Sequence, residues 1–259
     1  MLGRINLKNN IKSIFNEELA QGIVSKSKSL LRAPGFTLCQ IAGVKNIQPP
    51  PMFDHVELPQ QRRLTFLPKV PVYPIGIRPP KMQKRIIEMR GPEIVNTELI
   101  HKQYGIVAEQ GGRMKWGHYE MLRLGIIRKM DQRRMFAEWR IDAPWKALTK
   151  KGQGKRMGGG KGSISEYCHP IRSGRIIIEV AGRCEFEEVK GFLNMLAEKL
   201  PFKAKVVNYE MMQKEKEQKQ LLEKLNENEY SRKYFIRNNV LGCWDYVSPY
   251  EVEWDGRFR

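Results

Sequence analysis

Acidic residues are scarce in this chain: 28 Asp and Glu stand against 46 Lys and Arg in 259 residues, giving a net charge of +18. A soluble enzyme of small metabolites rarely needs that excess, whereas a partner that carries phosphates does. Cysteine is also sparse. Cys39, Cys168, Cys184 and Cys243 lie far apart with no C-x-x-C pair, which argues against a disulfide framework and fits a reducing compartment. His55, His101, His118 and His169 form no spaced ligand set. Adjacent Cys168 and His169 would fall on opposite faces of a strand, so neither a metal site nor any other cofactor is expected. No run of 18 apolar residues exists, so neither a membrane span nor a membrane partner is expected.

The charge that is present is unevenly spread. Residues 1–80 hold 11 basic and 4 acidic groups, and residues 81–161 hold 19 against 8. Residues 162–207 hold 7 against 6, and residues 208–259 hold 9 against 10. A nucleic-acid face is therefore expected in the first two-thirds and a different kind of contact at the C-terminus. Residues 1–16 space Arg4, Lys8 and Lys12 among Leu2, Ile5, Leu7, Ile11, Ile14 and Phe15, with no acid before Glu17. This basic amphipathic start reads as a mitochondrial presequence over 1–33, or else as an ordinary surface helix. Nine of the fifteen prolines fall within 49–80, so 34–84 reads as an extended arm, with folding beginning near Met82.

Beyond the arm the apolar periods alternate. Tyr104, Ile106 and Ala108 read as a strand, and His118 to Met130 as a helix striped by Tyr119, Leu122, Ile126 and Met130. Met135 to Ile141 alternates again, which makes Trp139 a core candidate. Short strands follow near 165–169 and 175–180. Residues 185–199 form the clearest helix, with Phe186, Val189, Leu193, Leu196 and Leu200 on one stripe, acids at its start and Pro201 as its stop. Residues 203–207 return as a strand. The order predicts an α+β core domain over 85–207: a two-layer α/β sandwich in which two helices pack on one mixed, mostly antiparallel sheet. Residues 208–259 read as a C-terminal extension, a solvated helix over 213–229 followed by a tail that holds eight aromatics in its last thirty residues. Such a tail either packs back on the domain or docks a protein.

Inside the core stands the segment Lys150-Lys151-Gly152-Gln153-Gly154-Lys155-Arg156-Met157-Gly158-Gly159-Gly160-Lys161-Gly162, with six glycines, five cations and no acid. Glycine loses the most backbone entropy on ordering and the cations repel one another, so the loop gains little from folding alone. A nucleotide-binding loop needs Ser or Thr directly after Gly-Lys, but Gly162 follows Lys161 and Ser163 comes one position late. No G-x-G-x-x-G can be laid on it either. A flexible linker is the plainer alternative. Yet the loop lies between two core strands, where long structureless loops are usually functional. It reads best as a phosphate-contacting finger, whose glycines admit phosphate oxygens while its cations neutralise them. Residues 146–162 folded back on themselves would reach roughly 25 Å at about 3.3 Å per residue. Lys146, Lys150, Lys151, Lys155, Arg156, Met157, Gly158, Gly159, Gly160 and Lys161 are its candidate contacts. Arg113, Lys115, Arg123, Arg128, Arg133 and Arg134 around the first helix are further ones, and Trp145, beside Pro144, is the candidate for base stacking.

Three stretches carry a resemblance: YGIVAEQGGRMKWGHYEMLRL (104–124), MFAEWRIDAPWKALTKKGQGKRMGGGKG (135–162) and SGRIIIEVAGRCEFEEVKGFLNMLAEKLPFKAKVV (173–207). Together they resemble the large-subunit ribosomal protein family L-sixteen in its mitochondrial form. Arg156 to Gly162 is similar to the family's Arg-Met-Gly-x-Gly-Lys-Gly signature at every fixed position. The resemblance implies a non-enzymatic structural protein on large-subunit rRNA, at the site where aminoacyl-tRNA enters, in the ribosome of the mitochondrial matrix. It further implies a finger near the tRNA acceptor arms, formed by Lys155, Arg156, Met157, Gly158, Gly159, Gly160 and Lys161. The long front arm and residues 208–259 depart from the bacterial pattern, and neighbouring mitochondrial ribosomal proteins are their expected partners. An RNA-processing enzyme or a free RNA-binding protein outside ribosomes is the alternative. The finger itself offers no Asp, Glu, His or Cys for catalysis.

Overall fold

The computed structural model describes residues 52, 53 and 56–258. The expected presequence and residues 34–51 of the arm lie outside the described residues.

Seven strands and five α-helices follow one another from residue 104. They are β1 (Tyr104–Ala108), β2 (Gly112–Lys115), α1 (Trp116–Lys129), β3 (Met135–Trp139), β4 (Lys146–Lys150), β5 (Ser163–Ile171) and β6 (Ile176–Gly182). Then come α2 (Phe186–Ala197), β7 (Ala204–Asn208), α3 (Tyr209–Lys224), α4 (Arg232–Arg237) and α5 (Pro249–Glu253). The α+β class is what the structure shows. The strands do not form one sheet, however. They divide into a four-stranded antiparallel sheet, β3-β6-β1-β7, and a three-stranded antiparallel sheet, β2-β5-β4. The cause is local: β2 and β4, not foreseen as strands, satisfy both edges of β5 and give it a sheet of its own.

Helix α1 opens where the Lys115 amide donates to His118 Nδ1 at 3.1 Å. It ends with Arg128 and Lys129 at the negative end of its dipole, before extended Met130. Tyr119, Leu122 and Ile126 form its buried face. Helix α2 carries Glu187 and Glu188 in its first turn and buries Val189, Phe192, Leu193, Leu196 and Ala197 against β7, β1 and α1. All seven residues of β6 are buried, because one face meets the helices and the other meets Leu99, Val107 and Val207. Each fully buried Leu, Ile or Val contributes roughly 1.5–3 kcal/mol. Trp139 is only half-buried. It packs its ring 5.4 Å from that of Tyr119 and donates from Nε1 to the Thr65 carbonyl.

That last bond belongs to the arm. The Ala137 amide donates to the Arg62 carbonyl at 3.1 Å, so the arm lies along the outer edge of β3 and covers it. Leu64 enters the main core, and Leu67 packs against it. The packed part of the chain thus starts well before Met82. Proline prevents the arm from forming a ladder, but it does not prevent single hydrogen bonds and buried leucines between the prolines.

One charged residue sits at the heart of the four-stranded sheet. Glu179 on β6 is buried, and its carboxylate accepts from the amides of Ile100 and His101 and from Arg140 Nε at 2.8 Å. It pins the chain before β1 onto the sheet. At the C-terminus the aromatic tail divides its roles. Ile236 is buried and the Gly91 amide donates to the Phe258 carbonyl, while Leu241 stays 92% exposed beside exposed Trp244 and Tyr246. Replacing Glu179 by Leu leaves two amides without their acceptor and a mostly buried guanidinium with only the half-exposed Glu138 beside it. We expect a loss of about 3 kcal/mol in urea unfolding, with part recovered when Arg140 is also made Leu.

Candidate nucleic-acid interface

The glycine-rich finger is the turn of a β-hairpin. β4 and β5 pair antiparallel from Lys146↔Cys168 to Lys150↔Ser163, with an irregularity between Leu148 and Thr149. The two strands close the root so tightly that a Cβ on Gly162 would lie 2.7 Å from the Lys150 carbonyl oxygen. Beyond the root the chain is open. Gly158, Gly159 and Gly160 take φ of +98°, +66° and +82°, a run that side-chain-bearing residues rarely adopt. The finger curls around a space of about 420 Å³ bordered by Lys151, Arg156 and Lys161. Lys151 Nζ donates inward to the Gly158 carbonyl, which holds the curl.

The cations of the finger fall into two groups. Lys161 Nζ donates to the carbonyls of Lys81 and Met82, each at 2.8 Å, and Lys81 Nζ returns a bond to the Lys161 carbonyl at 3.2 Å. Lys161 is therefore a latch between finger and arm. Lys155 and Arg156 are exposed and have no side-chain partner among the described residues, and Met157 between them and the glycines is 97% exposed. These side chains face solvent at the tip. Lys150 is exposed at the root, near Glu166.

Lys146 departs from what its sequence neighbours suggested. It is 1% exposed and ion-paired with Glu88, and burial pushes its ammonium pKa down. It is a structural tie from β4 to the segment just after the arm, out of reach of a phosphate. Around the first helix, Arg128 and Arg133 are exposed. Lys115 pairs with Glu166 at 2.7 Å, Arg123 with Glu120 at 2.8 Å and Arg134 with Asp131 at 3.0 Å. Arg113 on β2 is half-buried, with its Nε enclosed. Trp145 is partly exposed at the start of β4, after buried Pro144. The structure thus gathers Lys150, Lys155, Arg156 and Met157 on one projecting element. It leaves Arg128 and Arg133 apart from it, at the far end of α1. Among the described residues no three His, Cys, Asp or Glu side chains gather as metal ligands, and no helix is long and apolar enough to cross a membrane.

A cationic hairpin finger mounted on a small α+β scaffold is the build of a structural protein that works inside a larger assembly. Residues 77–207, half of the 259-residue chain, match the family described as Ribosomal protein L16p/L10e, and the chain belongs to that family. It is accordingly a structural protein of the large ribosomal subunit, with rRNA and other ribosomal proteins as its partners.

The strand that carries the finger also holds a buried base. Cys168 and His169 on β5 are both buried, although they alternate in direction. Burial raises the Cys168 thiol, and burial with nearby Arg175 lowers His169 to about 4. His169 is thus neutral when folded. Below its ordinary pKa near 6.5 the unfolded chain takes up a proton that the folded chain refuses until about pH 4. Stability is therefore lost as pH falls through that window, by on the order of 3 kcal/mol. Denaturant titrations at pH 7 and pH 4.5 should show a smaller drop for His169→Gln than for the parent.

Proposed function

We propose that this protein serves the large subunit of the mitochondrial ribosome, where it binds rRNA near the site of aminoacyl-tRNA arrival. Its finger supports tRNA accommodation there. The observation that carries this reading is the finger itself: a root fixed by β-pairing, a tip with uncompensated Lys155 and Arg156, and a glycine run that lets backbone approach a phosphate. Placement in mitochondria rests on the acid-poor amphipathic segment at 1–16. Residues 208–258, with exposed Leu241, Trp244 and Tyr246 and a near-neutral charge, serve as the contact for a neighbouring ribosomal protein.

The residue assignment within the finger follows its bonding. Lys155, Arg156 and the backbone of Gly158 to Gly160 touch RNA. Lys151 and Lys161 hold the loop in the shape that presents them. RNA affinity of the isolated protein should fall by about 10³-fold from 50 to 200 mM salt if roughly six phosphates are contacted. Replacing Lys155 and Arg156 by Gln should reduce the slope of log affinity against log salt by about 1.8 on duplex RNA.

Gradient sedimentation of organelle and cytosolic extracts tests the placement, with the protein expected in the large-subunit peak of mitochondrial ribosomes. A pool confined to cytosolic ribosomes, or a light free pool alone, would refute it. In cells carrying Lys155→Glu with Arg156→Glu, large subunits should still sediment normally while tRNA-dependent translation falls. Subunits that never assemble would make the finger an architectural clamp on rRNA instead.

A further inference from the structure

The arm that covers β3 leaves one aromatic ring outside. Leu64 and Leu67 turn inward and anchor the arm, while Phe66 between them is 60% exposed. It meets the indole of Trp116, the first residue of α1, edge to face, with ring centroids 6.1 Å apart and planes at 71°. The indole in turn is fixed by its Nε1 bond to the Leu67 carbonyl at 3.1 Å. A cation stands by each ring. The Arg123 guanidinium lies 5.8 Å from the Phe66 centroid, and Lys69 Nζ lies 5.7 Å from that of Trp116. Glu120 grips Arg123 with two bonds, at 2.9 and 2.8 Å, so the guanidinium is held in place.

Anchoring the arm does not require Phe66, because the leucines and three backbone carbonyls already do that. A bare ring would be unremarkable alone, since isolated exposed apolar residues are common. Here it belongs to a rigid cation–aromatic platform drawn from two segments about fifty residues apart. Glu120 and Glu166 face the platform from α1 and β5, but the arm's own charge is of one sign. From Leu58 to Ile87 the arm and the residues just after it hold seven Lys and Arg and no acid. Such a surface repels basic partners, and the exposed aliphatic side chains Val70, Val72, Ile75 and Ile77 follow the platform along the arm rather than forming part of it. It suits a ligand with a flat π face and a nearby phosphate.

We propose that Phe66, Trp116, Lys69 and Arg123 form a stacking site for an unpaired RNA nucleotide. The base lies on the open face of Phe66, and its phosphate meets Lys69. The site rests on the RNA-binding reading above, but it is separate from the finger, and Phe66 precedes the family match at 77–207. It places the arm on a single-stranded or bulged segment of RNA, because paired bases keep their faces covered.

The test uses the full chain with two labelled probes, a short oligouridylate and a blunt RNA duplex of equal length, followed by fluorescence anisotropy. Phe66→Leu should weaken oligouridylate binding about tenfold with no change in salt slope, and leave duplex binding as it was. Phe66→Tyr, which keeps the π face, should bind like the parent. Lys69→Gln should lower the single-strand slope by about 0.7. The site is disproved if Phe66→Leu binds oligouridylate within twofold of the parent, or if Phe66→Tyr loses as much as Phe66→Leu. It is equally disproved if Phe66→Leu keeps its RNA affinity but releases a bound protein from purified subunits. In the first of these cases salt-steep duplex binding that depends on Lys155 and Arg156 leaves the finger's role standing. A parent chain that binds neither probe overturns both.

Discussion

Everything distinctive in this molecule depends on closing one loop at its root. A segment with six glycines and five cations resists ordering on both entropic and electrostatic grounds. What the loop cannot supply is supplied by β4 and β5, whose pairing from Lys146↔Cys168 to Lys150↔Ser163 brings the two ends together. Closure is tight enough that Gly162 has no room for a Cβ. Two lysines then convert charge into geometry. Lys151 bonds across the loop to Gly158, and Lys161 bonds to the Lys81 and Met82 carbonyls. Each keeps its charge but fixes its ammonium on carbonyl oxygens, and Lys155 and Arg156 are left outward.

The arm is a working part of this closure. It supplies the carbonyls that hold Lys161, and Glu88, just after it, neutralises buried Lys146 at the other end of β4. It also caps the free edge of β3, an edge that would otherwise invite pairing with another chain. Removing one charge from the Lys146–Glu88 pair would leave the other poorly solvated, and the cost of that is larger than the value of the pair itself. The finger, the three-stranded sheet and the arm therefore form one mechanical unit, while Glu179 performs the equivalent service for the four-stranded sheet.

The sequence makes some of this legible and hides the rest for definable reasons. Helices α1 and α2 announce themselves by their stripes, and the runs at β1, β6 and β7 by their β-branched residues. Strands β2 and β4 carry Arg113, Lys115, Lys146 and Lys150, so they read as surface charge. Nothing in the order of residues shows that Lys146 meets Glu88 across 58 positions. The finger was legible as a finger because its composition excludes a packed role. Which of its lysines are tied was not, since the acceptors are backbone carbonyls with no sequence signature. The same holds for Phe66, whose significance appears only when folding brings it to Trp116.

Charge distribution explains why the two ends of the chain behave differently. Among the described residues of the first two-thirds, carboxylates answer only some of the cations: Glu88, Glu120, Asp131 and Glu166 each neutralise one and Glu179 holds Arg140, while Lys150, Lys155, Arg156, Arg128 and Arg133 face outward. That surplus opposes folding by self-repulsion and is relieved only by an anionic partner, so the free protein is less stable than the assembled one. Residues 208–258 have no such surplus. Their surface carries aromatic rings and paired charges such as Arg257–Glu223 and Arg237–Asp255. Desolvating rings against another protein is favourable there, whereas a polyanion would gain little. One chain thus presents an electrostatic face and an apolar face, which is what a protein wedged between RNA and a neighbouring protein requires.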